Sequence, residues 1–286
     1  DRLVDGLLEL NIIPMATLNH WDFPQALQDL GGWPHRDSVS WFTEYAGVVF
    51  ERLGDRVSYF STHNEPFVVA FPGYGDGSFA PGIASYPQAF QAAHHLLLAH
   101  GKTVQLYRQL GCSGQIGISL NLATFHPKTE DPADYSAAHR MEDFINNLFL
   151  DPIFKGRYPE NFMQWIGEMA PDVQAGDMDA IREPIDFLGI NYYFSQLVSR
   201  QNRGLFKLVT EPNLDPGWGI TEKGWGICPS ELTQLLLHLK HDYGNPPMFI
   251  TENGTALGEP TDESGFVNDQ GRINFLRAHF AAAHQA

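Results

Sequence analysis

Ser61-Thr62-His63-Asn64-Glu65-Pro66 closes one apolar, strand-like run, and Phe249-Ile250-Thr251-Glu252-Asn253-Gly254 closes another. Each run ends in a glutamate, and each glutamate is followed within two residues by a proline or glycine, which breaks regular structure. Two carboxyl groups carried on two strand ends suit glycosidic bond cleavage. A retaining enzyme of that kind holds them about 5–5.5 Å apart, one as acid/base and one as nucleophile.

Outward from these segments the chain alternates between strand-like and helix-like patterns. Helical spacing runs over Leu3 to Leu10, Ser38 to Leu53 with Ser38 as its N-cap, and Pro87 to Leu110 before Gly111. It recurs over about 134–150 and 160–168, from Pro229 to Tyr243 and from Asp269 to Gln285. Strand-like runs cover Ile12 to Leu18, Arg56 to Thr62, Gln115 to Leu122, Ile185 to Tyr193 and Pro247 to Thr251, and a hairpin through about residue 210 follows the fourth. Strands separated by helices imply parallel βαβ units. The strand ends carry His20-Trp21, Asn64-Glu65, Asn121, Asn191-Tyr192-Tyr193 and Glu252-Asn253. Polar and aromatic residues at the same end of every strand favour a (β/α)8 barrel, where each strand contributes to one face, over a doubly wound sheet with one switch point.

The composition is compatible with that reading. The chain has 286 residues, 43% of them hydrophobic and 18% charged, which is enough apolar material for a sizeable core. Its formal charge of −16 argues against nucleic acid and anionic membrane surfaces as partners. The two cysteines, Cys112 and Cys228, are too few for a disulfide framework and point to a reducing compartment, the cytoplasm. No apolar run reaches membrane-spanning length. His94, His95 and His100 share one helix but lack the i, i+4 spacing of a helical zinc pair, so no metal or other cofactor is expected.

Thr62-His63-Asn64-Glu65-Pro66 and Ile250-Thr251-Glu252-Asn253-Gly254 resemble the signature segments of glycoside hydrolase family 1. So do Thr17-Leu18-Asn19-His20-Trp21-Asp22-Phe23-Pro24 with Gly31-Gly32-Trp33, Asp186-Phe187-Leu188-Gly189-Ile190-Asn191-Tyr192-Tyr193, and Gly224-Trp225-Gly226-Ile227-Cys228-Pro229. The resemblance spans essentially the whole chain, in the family's order. It implies a single catalytic (β/α)8 TIM barrel domain over residues 1–286, of which this chain supplies about five βα units, strands 3 to 7. The implied activity is a retaining β-glycosidase, acting without cofactor on terminal β-D-glucosyl residues, with β-D-galactosyl and β-D-fucosyl as alternatives. The implied substrate is a small β-glucoside or cello-oligosaccharide.

The resemblance also implies roles. Glu65 would be the acid/base and Glu252 the nucleophile. Asn64 would bind the sugar 2-hydroxyl, His20 the 3-hydroxyl, and Trp21 would wall the glycone pocket. Tyr193 would donate to Glu252, with Asn191 beside it in the same motif. Of the consecutive Tyr192 and Tyr193, only one can face the site if the strand persists. Asn121 and Trp225 would lie on the aglycone side.

The family pattern begins before Asp1 and continues beyond Ala286, so the expectation is an internal piece lacking N- and C-terminal parts. Those parts would carry the glutamine, tryptophan and glutamate that bind the remaining sugar hydroxyls. The missing parts of the same chain, or a homo-oligomer, would then complete it. Two rival readings follow: a catalytically incompetent sugar-binding or assembly piece, and a 6-phospho-β-glycosidase.

Overall fold

The strand-like runs become strands in the computed structural model, which describes residues 1–258 and 260–286. In chain order the elements begin with α1 (Arg2–Glu9), β1 (Met15–Asn19), α2 (Gln25–Gln28), α3 (Ser38–Leu53), β2 (Tyr59–Asn64) and α4 (Pro66–Ala70). Next come α5 (Tyr86–Gln109), β3 (Gln115–Pro127), α6 (Pro132–Glu142), α7 (Leu148–Lys155), α8 (Glu160–Ile166) and α9 (Asp177–Ile181). The last are β4 (Phe187–Arg200), β5 (Leu208–Pro212), α10 (Pro229–Asp242), β6 (Met248–Glu252) and α11 (Gln270–Gln285).

The sheet order is β1-β2-β3-β4-β5, and β6 pairs with β4. β1, β2 and β3 run parallel, and the β4–β5 pair is an antiparallel hairpin, with Gln196 opposite Pro212 and Arg200 opposite Leu208. Parallel neighbours need a crossover, and α3 and α5 supply it after β1 and β2. Asn19 lies opposite His63 in the β1–β2 register, which runs without a shift. Between β2 and β3, Ser61 lies opposite Gly117 but Asn64 opposite Ser119, so β2 carries one extra residue at Thr62-His63. Such a bulge re-aims the side chains that follow it.

The chain divides into two compact units. The first comprises Asp1–Asn121, Asn147–Gly189 and Pro247–Phe249; the second comprises Leu122–Asn146, Ile190–Pro246 and Ile250–Ala286. The core of the first is built around α5, which is buried on nearly all sides from Ala89 to Tyr107. A helix buried all round tolerates little bulk. A β-carbon at Gly101 would stand 1.9 Å from the Ala180 carbonyl oxygen, so glycine is what lets α5 pass α9 this closely. The histidines of α5 are spent internally: His94 bonds Asp177 and Tyr158, His95 bonds the Trp33 carbonyl, and His100 bonds Thr62. In the second unit Leu232, Leu235, Leu236 and Leu239 of α10 are buried, as are Phe275 and Ala282 of α11.

Three local expectations change. Asp37, not Ser38, is the residue before α3. Ser38 is the first helical residue, and its buried hydroxyl donates to the Trp33 carbonyl instead of capping the helix. β3 continues five residues past Leu122, where Lys128 N–H then bonds the Val198 carbonyl. The segment around 134–150 is two helices, α6 and α7, joined by a wider π-type turn over Asp143–Asn147.

Candidate active site

In the first unit, β1 and β2 end side by side. His20 follows the last residue of β1 and is exposed; Asn64, the last residue of β2, is buried. The Asn64 amide Nδ2 donates to His20 Nε2 at 3.3 Å. Each chain then turns through a left-handed conformation, Trp21 at φ 79° and Glu65 at φ 48°. Non-glycine residues rarely adopt positive φ, and such positions concentrate where side-chain placement is functional. Glu65 is 6% exposed. Its N–H bonds the Ser119 carbonyl at 2.8 Å, and its own carbonyl accepts from Val68 N–H as α4 begins, with Pro66 in the first turn. The backbone of Glu65 is therefore held on both sides. Asn121 lies two residues beyond Ser119 on β3, half-buried.

Trp21 is the exposed wall of this group. Its ring lies 5.6 Å from His20 and 5.6 Å from Phe79. Beside it opens a cavity of about 430 Å³, lined in part by Trp21, Phe23, Trp33, Tyr74 and Phe79. That volume suits a small organic molecule, and tilted aromatic walls suit a sugar face.

In the second unit the arrangement centres on Glu252, the half-buried last residue of β6. The Tyr193 hydroxyl donates to Glu252 Oε2 at 2.5 Å. Tyr192 is fully buried and points away, its hydroxyl donating to the Cys228 carbonyl at 2.8 Å. Pleating thus separates the two tyrosines, and Tyr193 is the one that reaches Glu252. Asn191 is 1% exposed, and its Oδ1 accepts from Thr251 at 2.6 Å. This bond ties β4 to β6 one residue before the glutamate. Trp225 packs between Tyr193 and Phe194, 5.4 Å from each ring.

The structure thus groups His20, Trp21, Asn64 and Glu65 in one unit, with Asn121 on the neighbouring strand. It groups Asn191, Tyr193, Trp225 and Glu252 in the other. Among the described residues, no group of three or more histidine, cysteine, aspartate or glutamate side chains is placed to hold a metal ion.

Sequence reading overlooked three features. Phe79 follows the run Gly73 to Gly77, which marks only a loop in sequence. The buried cross-strand bond between His63 Nδ1 and Asn19 Oδ1 lies inside two quoted segments, but neither residue had a sequence-level reason to be paired. In the second unit, His126 Nε2 bonds Glu231 at 2.7 Å, and that contact raises the imidazole above its usual value. Glu142 lines a separate cavity with His126 and Glu231, and burial pushes its carboxyl up to about 7.

A parallel α/β sheet with carboxylates at the carboxyl ends of its strands is the architecture of (β/α)8 hydrolases. The sequence matches the profile of glycosyl hydrolase family 1 over residues 1–286, and the chain belongs to that family. β-Glucosidase A of Thermotoga maritima is 41% identical over 288 residues, covering all of this chain and 64% of that enzyme. The crystal structure of the AHE enzyme from Alicyclobacillus herbarius superposes with a TM-score of 0.94 at 42% identity, over 99% of this chain and 64% of the other. A β-glucosidase from Thermotoga maritima in complex with deoxynojirimycin gives a TM-score of 0.94 at 41% identity, over 100% and 64%. The fold class is therefore that of the (β/α)8 family 1 enzymes, of which this chain supplies about five βα units. The chain spans 64% of the length of these relatives.

Proposed function

We propose that the protein is a retaining β-glycosidase hydrolysing terminal β-D-glucosyl residues of small glucosides or cello-oligosaccharides. Glu252 attacks the anomeric carbon while Glu65 gives its proton to the departing glycosidic oxygen. The carbon–oxygen bond breaks as the glycosyl–Glu252 ester forms. Glu65, now a carboxylate, takes a proton from water, which attacks the same carbon, frees Glu252 and leaves the product with the configuration of the substrate. Asn64 and His20 hold the 2- and 3-hydroxyls, and Trp21 walls the sugar. Asn121 and Trp225 face the aglycone, and Asn191 braces the β4–β6 pair through Thr251.

The observation that carries the reading is the Tyr193–Glu252 hydrogen bond. A phenol donor on Oε2 aims the carboxylate and leaves Oε1 for attack. Membership of glycosyl hydrolase family 1 supports the reaction class. The sugar-like deoxynojirimycin in the Thermotoga maritima complex supports a small glycoside as substrate.

Azide rescue tests the assignment. Glu252→Gly is expected to abolish hydrolysis of an aryl β-glucoside, and azide to restore release of the aryl group with an α-glycosyl azide as product. The corresponding Glu65→Gly variant gives the β-glycosyl azide. Undiminished hydrolysis by Glu252→Gly sinks the nucleophile assignment. A wild-type protein that binds deoxynojirimycin but turns over no β-glucoside supports the non-catalytic reading, and turnover only of a 6-phospho-β-glucoside supports the phosphoglycosidase reading.

A further inference from the structure

β1 and β2 repeat the same three-step ending in register. Asn19 lies opposite His63, and these two side chains are joined by a hydrogen bond at 3.3 Å. One residue later, His20 and Asn64 are joined at 3.3 Å. One residue later again, Trp21 and Glu65 both enter left-handed backbone. Side chains alternate across a strand, so the first bond lies on one face of the strand pair and the second on the other. The first is the buried one. His63 is fully buried and Asn19 is 5% exposed.

The chemistry of the first bond is one-sided. Asn19 Nδ2 donates to the Asp22 carbonyl at 3.1 Å, which leaves Oδ1 turned to His63 as an acceptor. The His63 Nδ1 atom therefore carries the hydrogen. Its ring stacks on Phe42 at 4.5 Å and meets the edge of Trp33 at 5.5 Å, so it cannot turn away from Asn19 without displacing two aromatic rings. Burial, with His100 nearby, pushes the imidazole well below its ordinary value and keeps it neutral. Asn19 in turn holds the Asp22 carbonyl, just past Trp21.

The bond also sits at a weak point. The extra residue in β2 falls at Thr62-His63, where pairing with β3 is interrupted. A bulge interrupts the ladder locally and re-aims the side chains that follow it, and pairing with β3 resumes only at Asn64 and Glu65. His63 is held by β1 and by the aromatic residues beneath it, and Asn64 and Glu65 follow directly.

We propose that His63 is a positioning residue, and that its bond to Asn19 sets where His20 and Asn64 present their polar atoms to a sugar. The proposal rests on the glycosidase reading for the identity of the ligand, but the clamp itself is a statement about two strand ends. His63 touches no substrate. It acts through the step from 63 to 64 and, across the pair, from 19 to 20.

Two measurements test it. In the first, ring nitrogen signals of His20 and the side-chain amide signal of Asn64 are followed by NMR in wild-type protein, His63→Leu and His63→Asn. Leucine fills the space without a donor; asparagine keeps a donor near the Nδ1 position. The expected result is displaced His20 and Asn64 signals in His63→Leu, unchanged His126 signals, and partial return in His63→Asn. Unmoved His20 and Asn64 signals in His63→Leu overturn the clamp, whether or not the protein is an enzyme.

In the second, kcat/KM is compared on an aryl β-glucoside and its 2-deoxy analogue. His63→Leu is expected to lose about 10- to 100-fold on the glucoside, the scale of a small misplacement of a contact group. It is expected to lose less on the 2-deoxy sugar, which has no 2-hydroxyl for Asn64 to hold but keeps the 3-hydroxyl that His20 holds. Equal losses on both substrates overturn the proposal in favour of general destabilisation. Absent turnover by the wild type counts against the glycosidase reading alone, and the NMR comparison then decides the clamp. If His63→Leu does not fold, Asn19→Ala removes the acceptor from the other side and is read by the same signals.

Discussion

The two glutamates are held in different ways. Glu65, in the first unit, is placed by backbone: a left-handed φ, an N–H on Ser119 and a carbonyl at the start of α4. Glu252, in the second, lies at the end of an ordinary strand and is aimed by one side chain, the Tyr193 phenol. A group fixed by its backbone keeps its position when a neighbouring side chain changes. A group aimed by one hydrogen bond depends on that bond. The proposed roles fit the contrast: an acid/base stays in place through two opposite proton transfers, and a nucleophile needs one oxygen directed at one carbon.

The largest effect that would sharpen this contrast is at Glu65. Glu65→Ala is expected to slow hydrolysis of alkyl β-glucosides by about 10²- to 10⁴-fold, the usual worth of general acid catalysis. Dinitrophenyl glucosides, whose leaving group needs no proton, should lose far less in the bond-breaking step, as a pre-steady-state burst would show. Equal losses on both leaving groups would remove Glu65 as the acid.

Tyr193→Phe comes next. A hydrogen bond to a charged group is worth about 1.5–3 kcal/mol, so kcat is expected to fall roughly 10- to 100-fold. Thermal stability should change little, because Tyr193 is only half-buried. An unchanged kcat would break the comparison, since Glu252 would then be placed by something else.

The units also treat buried carboxylates differently. Burial alone would push Asp177 up, but Arg36 holds both its oxygens, at 3.0 and 2.6 Å, and His94 adds a third contact, so its carboxyl ends well below the usual range. A lowered folded pKa stabilises above the unfolded value and is lost as pH falls through the acidic range. Asp177→Ala is expected to cost about 2–3 kcal/mol at pH 7 by chemical denaturation, somewhat under the worth of a fully buried pair because Arg36 is 37% exposed. The cost should shrink toward pH 3. A pH-independent cost would mean that packing, not charge, is what Asp177 supplies.

The smallest effect is at Glu142, where among the described residues no lysine or arginine pairs with the carboxylate as Arg36 does with Asp177. Asn146 donates to it, but burial dominates and its value rises to about 7. A raised folded pKa contributes stability that is present below the unfolded value and lost as pH rises through the folded one. Glu142→Gln is therefore expected to match wild type near pH 4.5 and to exceed it by roughly 2 kcal/mol at pH 8. Equal stability at both pH values would show that the carboxylate finds compensation in the fold.

Much of this was legible in the amino-acid order. The runs ending at Asn19, Asn64, Thr251-Glu252 and Tyr193 show strands by local pattern alone, and the breakers after Glu65 and Glu252 mark where two of them stop, whereas β4 continues past Tyr193 to Arg200. The helices at Ser38 to Leu53 and Pro229 to Asp242 came within a residue of their expected bounds, because apolar spacing and a leading proline or closing glycine are local signals. The length of β3 was not legible. Residues after Leu122 extend because they meet β4, a partner more than 60 positions away along the chain.

The sequence by itself determined the family, the order of its strands and the two glutamates at their ends, since each depends on residues close together in the chain. The tertiary structure alone decided the bulge at Thr62-His63, the left-handed turns at Trp21 and Glu65, the burial of Tyr192 against Cys228, and the opposite shifts of Asp177 and Glu142. All of these are set by neighbours that folding brings in from distant positions: Ser119 beneath Glu65, Cys228 above Tyr192, Arg36 beside Asp177. A local pattern can specify which residues reach a strand end, but the direction in which each one points depends on what it meets there.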